Sequence, residues 1–243
     1  MSVYRKILNS KEKKQIAVLV DPDKYTEQAL EKVVLLAEEH EVDYFFVGGS
    51  LMLSTRLDRC ISIIKENSEK QVIIFPGSTM QVNAAADAIL FLSLISGRNA
   101  ELLIGNHVIA APYIRDARLE VISTGYMIID SGTATTASYM SQSFPIPRDK
   151  NEIAICTAIA AEMLGMKMIY LDGGSGARET VSTSMIEAVK SNISVPLVAG
   201  GGIRSPQAAI EICKAGADLI VVGNAIEDNH KTIAGIADAI HSL

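Results

Sequence analysis

The stretch MIYLDGGSG (168–176), with PLVAGGGIRSP (196–206) and DLIVVGNAIE (218–227) after it, decides the fold. Each piece reads as a short apolar strand that breaks into glycines, and the segments between them carry apolar residues at helical spacing. Ser205-Pro206 reads as an N-cap followed by proline in the first helical turn. Working outward, the same rhythm starts at Ile16: IAVLV (16–20), DYFFV (43–47), VIIF (72–75), AILFL (88–92) and YMIID (126–130) precede MIYLD (168–172), PLVA (196–199) and DLIVV (218–222). In TEQALEKVVLLAEEH (26–40) the apolar spacing is helical, with Thr26 as N-cap.

Strands that are apolar on both faces suit a parallel sheet covered by helices. Eight such repeats in 243 residues predict an α/β protein, a closed (β/α)8 TIM barrel forming one domain over 1–243. Residues 1–15 are expected to close its lower end as a helix. An open doubly wound sheet, the rival, uses about five or six strands. The Thr-, Ser- and Pro-rich stretch 131–148 is expected to be a flexible loop or lid on the functional rim.

Composition narrows the function. Twenty-eight acidic against 22 basic residues give a net charge of −6, which disfavours a nucleic-acid partner. Cys60, Cys156 and Cys213 are too few and scattered for a disulfide framework or zinc site, and read as small buried hydrophobes in helices. No apolar run reaches the roughly 18 residues of a spanning helix, so no stable membrane insertion is expected. MSVYRKILNSKEKK is too charged for a signal peptide. A cytoplasmic protein is expected.

In a barrel, chemistry gathers where the strands end. Strands six to eight end in GGSG, GGG and GN, through Gly173, Gly174, Ser175, Gly176, Gly201, Gly202, Gly223 and Asn224. Backbone N–H groups bind phosphate without a cationic side chain, provided the backbone approaches closely and takes positive φ angles, both of which glycine permits. A bland reading makes these glycines simple tight turns; three on adjacent strands favour a phosphate site. Across the ring stand Asp21 and Asp23 after strand one and Ser50 after strand two. A carboxylate with a nearby hydroxyl suits Mg²⁺, although Asp21 could instead cap a turn before Pro22. Asp172, beside the cup, could take a proton from a substrate hydroxyl; the orientation of Tyr170 depends on register.

His40, His107, His230 and His241 fall in or at the ends of presumed helices and read as surface or packing residues, which leaves histidine-based mechanisms without their central residue. Phe75, Phe91, Leu92, Leu94 and Ile95, with the small Ala110 and Ala111 beside Tyr113, read as ordinary core or as the wall of an apolar groove.

Together, VDPDK, VGGS, FPGS, FLSLISGRNAELLIGNH, TGYMIIDSGT, YLDGGSG, VAGGGIR and VVGNAIE resemble, in order along almost the whole chain, the geranylgeranylglyceryl phosphate synthase family, which includes the bacterial heptaprenylglyceryl phosphate synthases. Length and the long GGSG turn resemble its archaeal-type branch. The resemblance implies Mg²⁺-dependent transfer of a prenyl group, geranylgeranyl by branch, from a prenyl diphosphate to the C3 hydroxyl of sn-glycerol 1-phosphate. It also implies release of pyrophosphate, in ether-lipid synthesis. Asp21 and Ser50 would then be the metal ligands. Tyr170, Leu171, Asp172, Gly173, Gly174, Ser175, Gly176, Gly201, Gly202, Gly223 and Asn224 would hold glycerol 1-phosphate, with Asp172 as proton acceptor. The family commonly has Glu where this chain has Asp172, and its shorter branch has Lys where this chain has Leu19. Lys24, Arg98 and Arg178 are expected near the pyrophosphate, and Tyr126 or Tyr113 against the prenyl tail. A homo-oligomer is also expected. Competing functions for the same cup are an FMN-dependent oxidoreductase, a phosphosugar isomerase or lyase, and a non-catalytic phosphometabolite-binding barrel.

Overall fold

A computed structural model describes residues 2–9 and 13–243; Met1 and residues 10–12, part of the expected closing segment, lie outside the described residues. Helix α1 (Val3–Asn9) leads into β1 (Gln15–Val20), α2 (Glu27–Glu39), β2 (Tyr44–Val47), α3 (Leu57–Asn67) and β3 (Gln71–Ile74). Strand β4 (Ala88–Leu94) is followed by a π-helical turn (Glu101–Gly105), α4 (Asn106–Asp116), β5 (Glu120–Ile128), α5 (Thr136–Ser141) and α6 (Asn151–Met163). The chain ends with β6 (Met168–Asp172), α7 (Thr183–Lys190), β7 (Leu197–Gly200), α8 (Pro206–Lys214), β8 (Leu219–Val222), α9 (Asn224–Asp228) and α10 (Thr232–His241). The strands pair in sequence order, all parallel, and β1 pairs β8, so the sheet closes as a TIM barrel.

Strand side chains alternate between two apolar layers. Ala17, Phe46, Ile73, Leu90 and Tyr170 fill the barrel lumen, while Val18, Phe45, Ile74, Ile89 and Leu171 pack beneath the helices. Val3 and Ile7 of α1 join the lumen layer, and the Glu120 carboxylate accepts from Val3 N (2.6 Å) and Tyr4 N (2.9 Å). The hydroxyls of Thr26, Ser182 and Ser205 cap α2, α7 and α8.

Three expectations are corrected. The repeat is incomplete, because residues 75–87 between β3 and β4 form no helix; Pro76, Gly77 and Asn83 break any helical period there. Instead, buried Gln81 accepts from Gly77 N (3.1 Å) and donates to the Gly49 carbonyl (3.0 Å). The stretch 131–148 is not one irregular loop: it contains α5, started by a capping box at Thr135, and a bridge from Ile146 to Ile129. Finally, Cys156 on α6 is exposed, whereas Cys60 and Cys213 are buried as expected.

Leu90→Ala empties a fully buried site in the lumen. It is expected to cost about 3 kcal/mol, read as a lower urea midpoint with unchanged slope.

Candidate active site

One cavity of about 580 Å³ opens at the C-terminal ends of the strands. Its cup is built by glycine backbones that touch. Gly174, Gly176, Gly201 and Gly202 take φ values of +75° to +86°. A Cβ on Gly201 would lie 2.7 Å from Gly174 N and 2.8 Å from Gly173 N, so the GGG and GGSG turns meet at a distance only glycine permits. Gly174, Ser175, Gly201, Gly202, Gly223 and Asn224 line the cavity. The Asn224 amide oxygen accepts from Gly176 N (2.9 Å) and the Ser175 hydroxyl (3.2 Å), two donors for which an anion would compete. Its amide nitrogen donates to Glu227 (3.1 Å), an acidic residue of the cavity wall that sequence reading missed.

Asp172 closes β6 and also lines the cavity, although its side chain is buried. Tyr126 Oη donates to its Oδ2 (2.6 Å) and Gly174 N to its Oδ1 (2.7 Å). Burial pushes its pKa up, while these two hydrogen bonds pull it down. The result is a carboxylate more basic than an ordinary one, held in one orientation. Tyr170 points into the lumen, stacked on Phe75 (5.3 Å) and edge-on to Tyr126 (5.5 Å). Burial and the neighbouring Asp172 push both phenols well above their usual range.

Asp21 and Ser50 line the opposite wall. The carboxylate of Asp21 packs against Gly49, where a Cβ would meet it at 3.1 Å, and Asp21 Oδ1 accepts from Asp23 N (3.0 Å). Among the described residues, no hydrogen bond engages Asp21 Oδ2 or the Ser50 hydroxyl. Burial raises the Asp21 pKa, and the bond from Asp23 N and the nearby Lys24 cation only partly offset it. No group of three or more His, Cys, Asp or Glu side chains among the described residues could hold a metal. Asp21 Oδ2 and the Ser50 hydroxyl are two hard oxygens, a pair that would fit an ion taking its remaining ligands from water or phosphate. Asp23 also lines the cavity, but its carboxylate is engaged by the β2–α3 loop: it accepts from Leu53 N (2.5 Å) and the Ser54 hydroxyl, bonds that lower its pKa and pin that loop.

The apolar side of the cavity lies where the helix after β3 is missing. Phe75, Val82, Phe91, Leu102, Ala110 and Ile114 line it. So does His107, whose Nε2 meets the Ser93 hydroxyl at 3.2 Å and whose ring stands edge-on to Phe91. His107 is thus a wall residue of the cavity, which its place inside an apolar helix concealed.

Several expected residues lie elsewhere. The Leu171 side chain is buried in the outer layer, facing away from the cavity. Gly173 is buried and Gly176 exposed, and neither is part of the cavity lining itself. Tyr113 faces solvent; Tyr126 does line the cavity, tied to Asp172 and edge-on to Phe75. Arg98 donates to the Ile95 and Gly97 carbonyls, and Arg178 is exposed outside the lining; Lys24 and Arg204 are the cations that line the cavity among the described residues.

The PcrB family model matches residues 8–240. The chain belongs to the PcrB family. Geranylgeranylglyceryl phosphate synthase of Chitinophaga pinensis is 50% identical over 99% of this chain and 96% of its own. The protein of the same name from Korarchaeum cryptofilum is 40% identical over 96% and 95%. The crystal structure of (S)-3-O-geranylgeranylglyceryl phosphate synthase from Thermoplasma acidophilum, in complex with sn-glycerol-1-phosphate, superposes on this PcrB-family chain with a TM-score of 0.95, at 33% identity and full coverage of both chains.

Gly201→Ala separates two penalties at the cup. Gly165 also has a positive φ (+84°) but has nothing within 4 Å of its Cβ position. Gly165→Ala is expected to cost about 1 kcal/mol by strain alone. Gly201→Ala should cost about 2 kcal/mol more, because backbone blocks the methyl group. Equal urea midpoints for the two variants would refute close contact at the cup.

Proposed function

We propose that the protein is a Mg²⁺-dependent prenyltransferase that joins a prenyl diphosphate, geranylgeranyl diphosphate by branch, to the C3 hydroxyl of sn-glycerol 1-phosphate. Pyrophosphate is released, and the product enters ether-lipid synthesis. One observation carries this reading: a single cavity combines a glycine cup, a buried oriented carboxylate, an open carboxylate–hydroxyl pair and an apolar groove.

The cup grips the phosphate of glycerol 1-phosphate through backbone N–H groups, Ser175 and Asn224. Tyr170 and Asp172 border the glycerol. Asp21 and Ser50 would hold Mg²⁺, which when bound would supply positive charge to the leaving diphosphate. Lys24 and Arg204 add fixed cations on the same rim. The bond from the allylic carbon to the diphosphate oxygen breaks and an ether C–O bond forms. The C3 hydroxyl proton passes to Asp172, whose burial favours accepting it. The groove shields the prenyl chain, each buried methylene contributing about 0.8 kcal/mol. Tyr126 positions Asp172 rather than packing on the tail.

The same reading takes the chain as one barrel domain closed below by α1, and the cytoplasm as its compartment; no helix among the described residues is long and apolar enough to cross a membrane. A second copy of the chain covers the outward face of the π-helical turn and α4, where Ile104 of the turn and Val108, Ile109 and Tyr113 of the helix are each more than half exposed.

Incubation with labelled glycerol 1-phosphate and a ladder of prenyl diphosphates, with and without Mg²⁺, tests the reaction. Asp21→Asn is expected to lower turnover by about 10³-fold or more and abolish its response to added Mg²⁺, with the melting curve retained. Full turnover of that variant at low Mg²⁺ would remove Asp21 from the metal site. The pH profile tests Asp172 separately. Only its ionised form accepts a proton, so kcat/KM falls as pH drops through its raised pKa. Tyr126→Phe deletes a hydrogen bond that stabilises the anion, so the acid limb should move to higher pH and the plateau drop about tenfold. A limb that stays in place argues that Asp172 is not the titrating base.

A further inference from the structure

The connections after β2, β3 and β5 reach the same rim of the barrel as the site, and they carry large apolar side chains into solvent. Leu51 is 49% exposed, Leu53 84%, Met80 87%, Met140 49% and Phe144 94%. Leu51, Leu53 and Met140 also line the cavity, so exposed apolar surface continues directly into the groove. The β2–α3 loop that presents Leu53 is pinned by the bonds from Leu53 N and Ser54 to Asp23. Its exposure is thus fixed by the loop's own hydrogen bonds. Lys24 and Arg204 line the cavity, and Arg56 stands exposed at the end of the same loop.

We propose that this rim docks onto the surface of a phospholipid bilayer and that the groove exchanges its prenyl-bearing ligands directly with the lipid. The proposal rests on the prenyl-transfer reading, under which both donor and product carry a long apolar chain. Leaving the groove for water, such a chain loses the transfer free energy of every methylene; leaving for a bilayer, it loses almost none. The groove must therefore open toward lipid. Exposed Leu, Met and Phe side chains, with Lys24, Arg56 and Arg204 on the same rim, suit a shallow interfacial contact, the apolar groups among acyl chains and the cations at phosphates. A second copy of the chain suits the rim less well, since a partner seated there would cover the mouth through which ligands pass.

Flotation of the full chain with phosphatidylcholine–phosphatidylglycerol vesicles, without substrate, tests the docking. The native protein should float, and Leu53→Asp combined with Met80→Asp should lower its partition about tenfold while the thermal melt is unchanged. Turnover of vesicle-borne geranylgeranyl diphosphate should fall by a similar factor. Met80→Asp alone should turn over water-soluble geranyl diphosphate at the native rate. Tyr113→Asp, on the α4 face, should float like the native protein. The proposal is overturned if the native protein does not float, if the rim variant floats equally well, or if only Tyr113→Asp abolishes flotation. A change in light-scattering mass with rim substitution and no change in flotation would assign the rim to a second copy instead. Failure to turn over any donor would overturn the prenyl-transfer reading, whereas flotation reads the docking surface independently of chemistry.

Discussion

A parallel sheet must be covered on both faces, and in this barrel one stretch of outer face is not covered by a helix. The chain crosses from β3 to β4 through residues 75–87 without forming one. The side chains beneath would face water, and the π-helical turn with α4 and the connection around Val82 only partly cover them. What remains is an apolar groove that joins the polar mouth of the barrel. A complete repeat at this point would give a better-covered sheet with no room for a long chain. On the prenyl-transfer reading, the gap therefore sets which ligand the barrel takes, and the ordinary repeats around it supply the stability that lets the gap persist.

The carboxylates of the cavity are set apart by their surroundings. Asp172 is buried and fully engaged, with Tyr126 and Gly174 each donating to one of its oxygens. Asp21 is half-buried and has one oxygen without a partner among the described residues. Desolvation raises both pKa values, yet the remedies differ. A carboxylate already satisfied by hydrogen bonds suits a transient proton, whereas one left open suits a lasting cation.

The cup and the strand order were legible because both are local: glycine at a strand end and a run of Val and Ile have meanings independent of the rest of the chain. The start of β5 was hidden because Ser123, Thr124 and Gly125 interrupt the apolar run. Gly125 is there for packing, since a Cβ would sit 2.8 Å from Ile95 Cδ1. The contact between Tyr126 and Asp172 spans 46 residues and depends on both side chains pointing into one lumen, which only the register of β5 against β6 determines. Likewise, Ala110 and Tyr113 are three residues apart on one helix, and nothing in their spacing says that the first faces the groove and the second faces solvent. The missing helix was legible in Pro76, Gly77 and Asn83, but the regularity of the strands on either side concealed it.

Charge also constrains the order in which ligands enter. Asp21, Asp23, Asp172 and Glu227 share one cavity, and the fixed cations on its lining among the described residues are Lys24 and Arg204. A free diphosphate would meet carboxylates across a medium of reduced dielectric, where like charges repel strongly. A diphosphate already paired with a divalent ion reverses that interaction at Asp21 and leaves Asp172 undisturbed. Under the proposed reaction, glycerol phosphate would face less opposition, because the cup offers oriented N–H dipoles to its charge. On the prenyl-transfer reading, these terms keep the two phosphorylated substrates from exchanging places: backbone dipoles attract the head group, and the donor is admitted only with its own counter-charge.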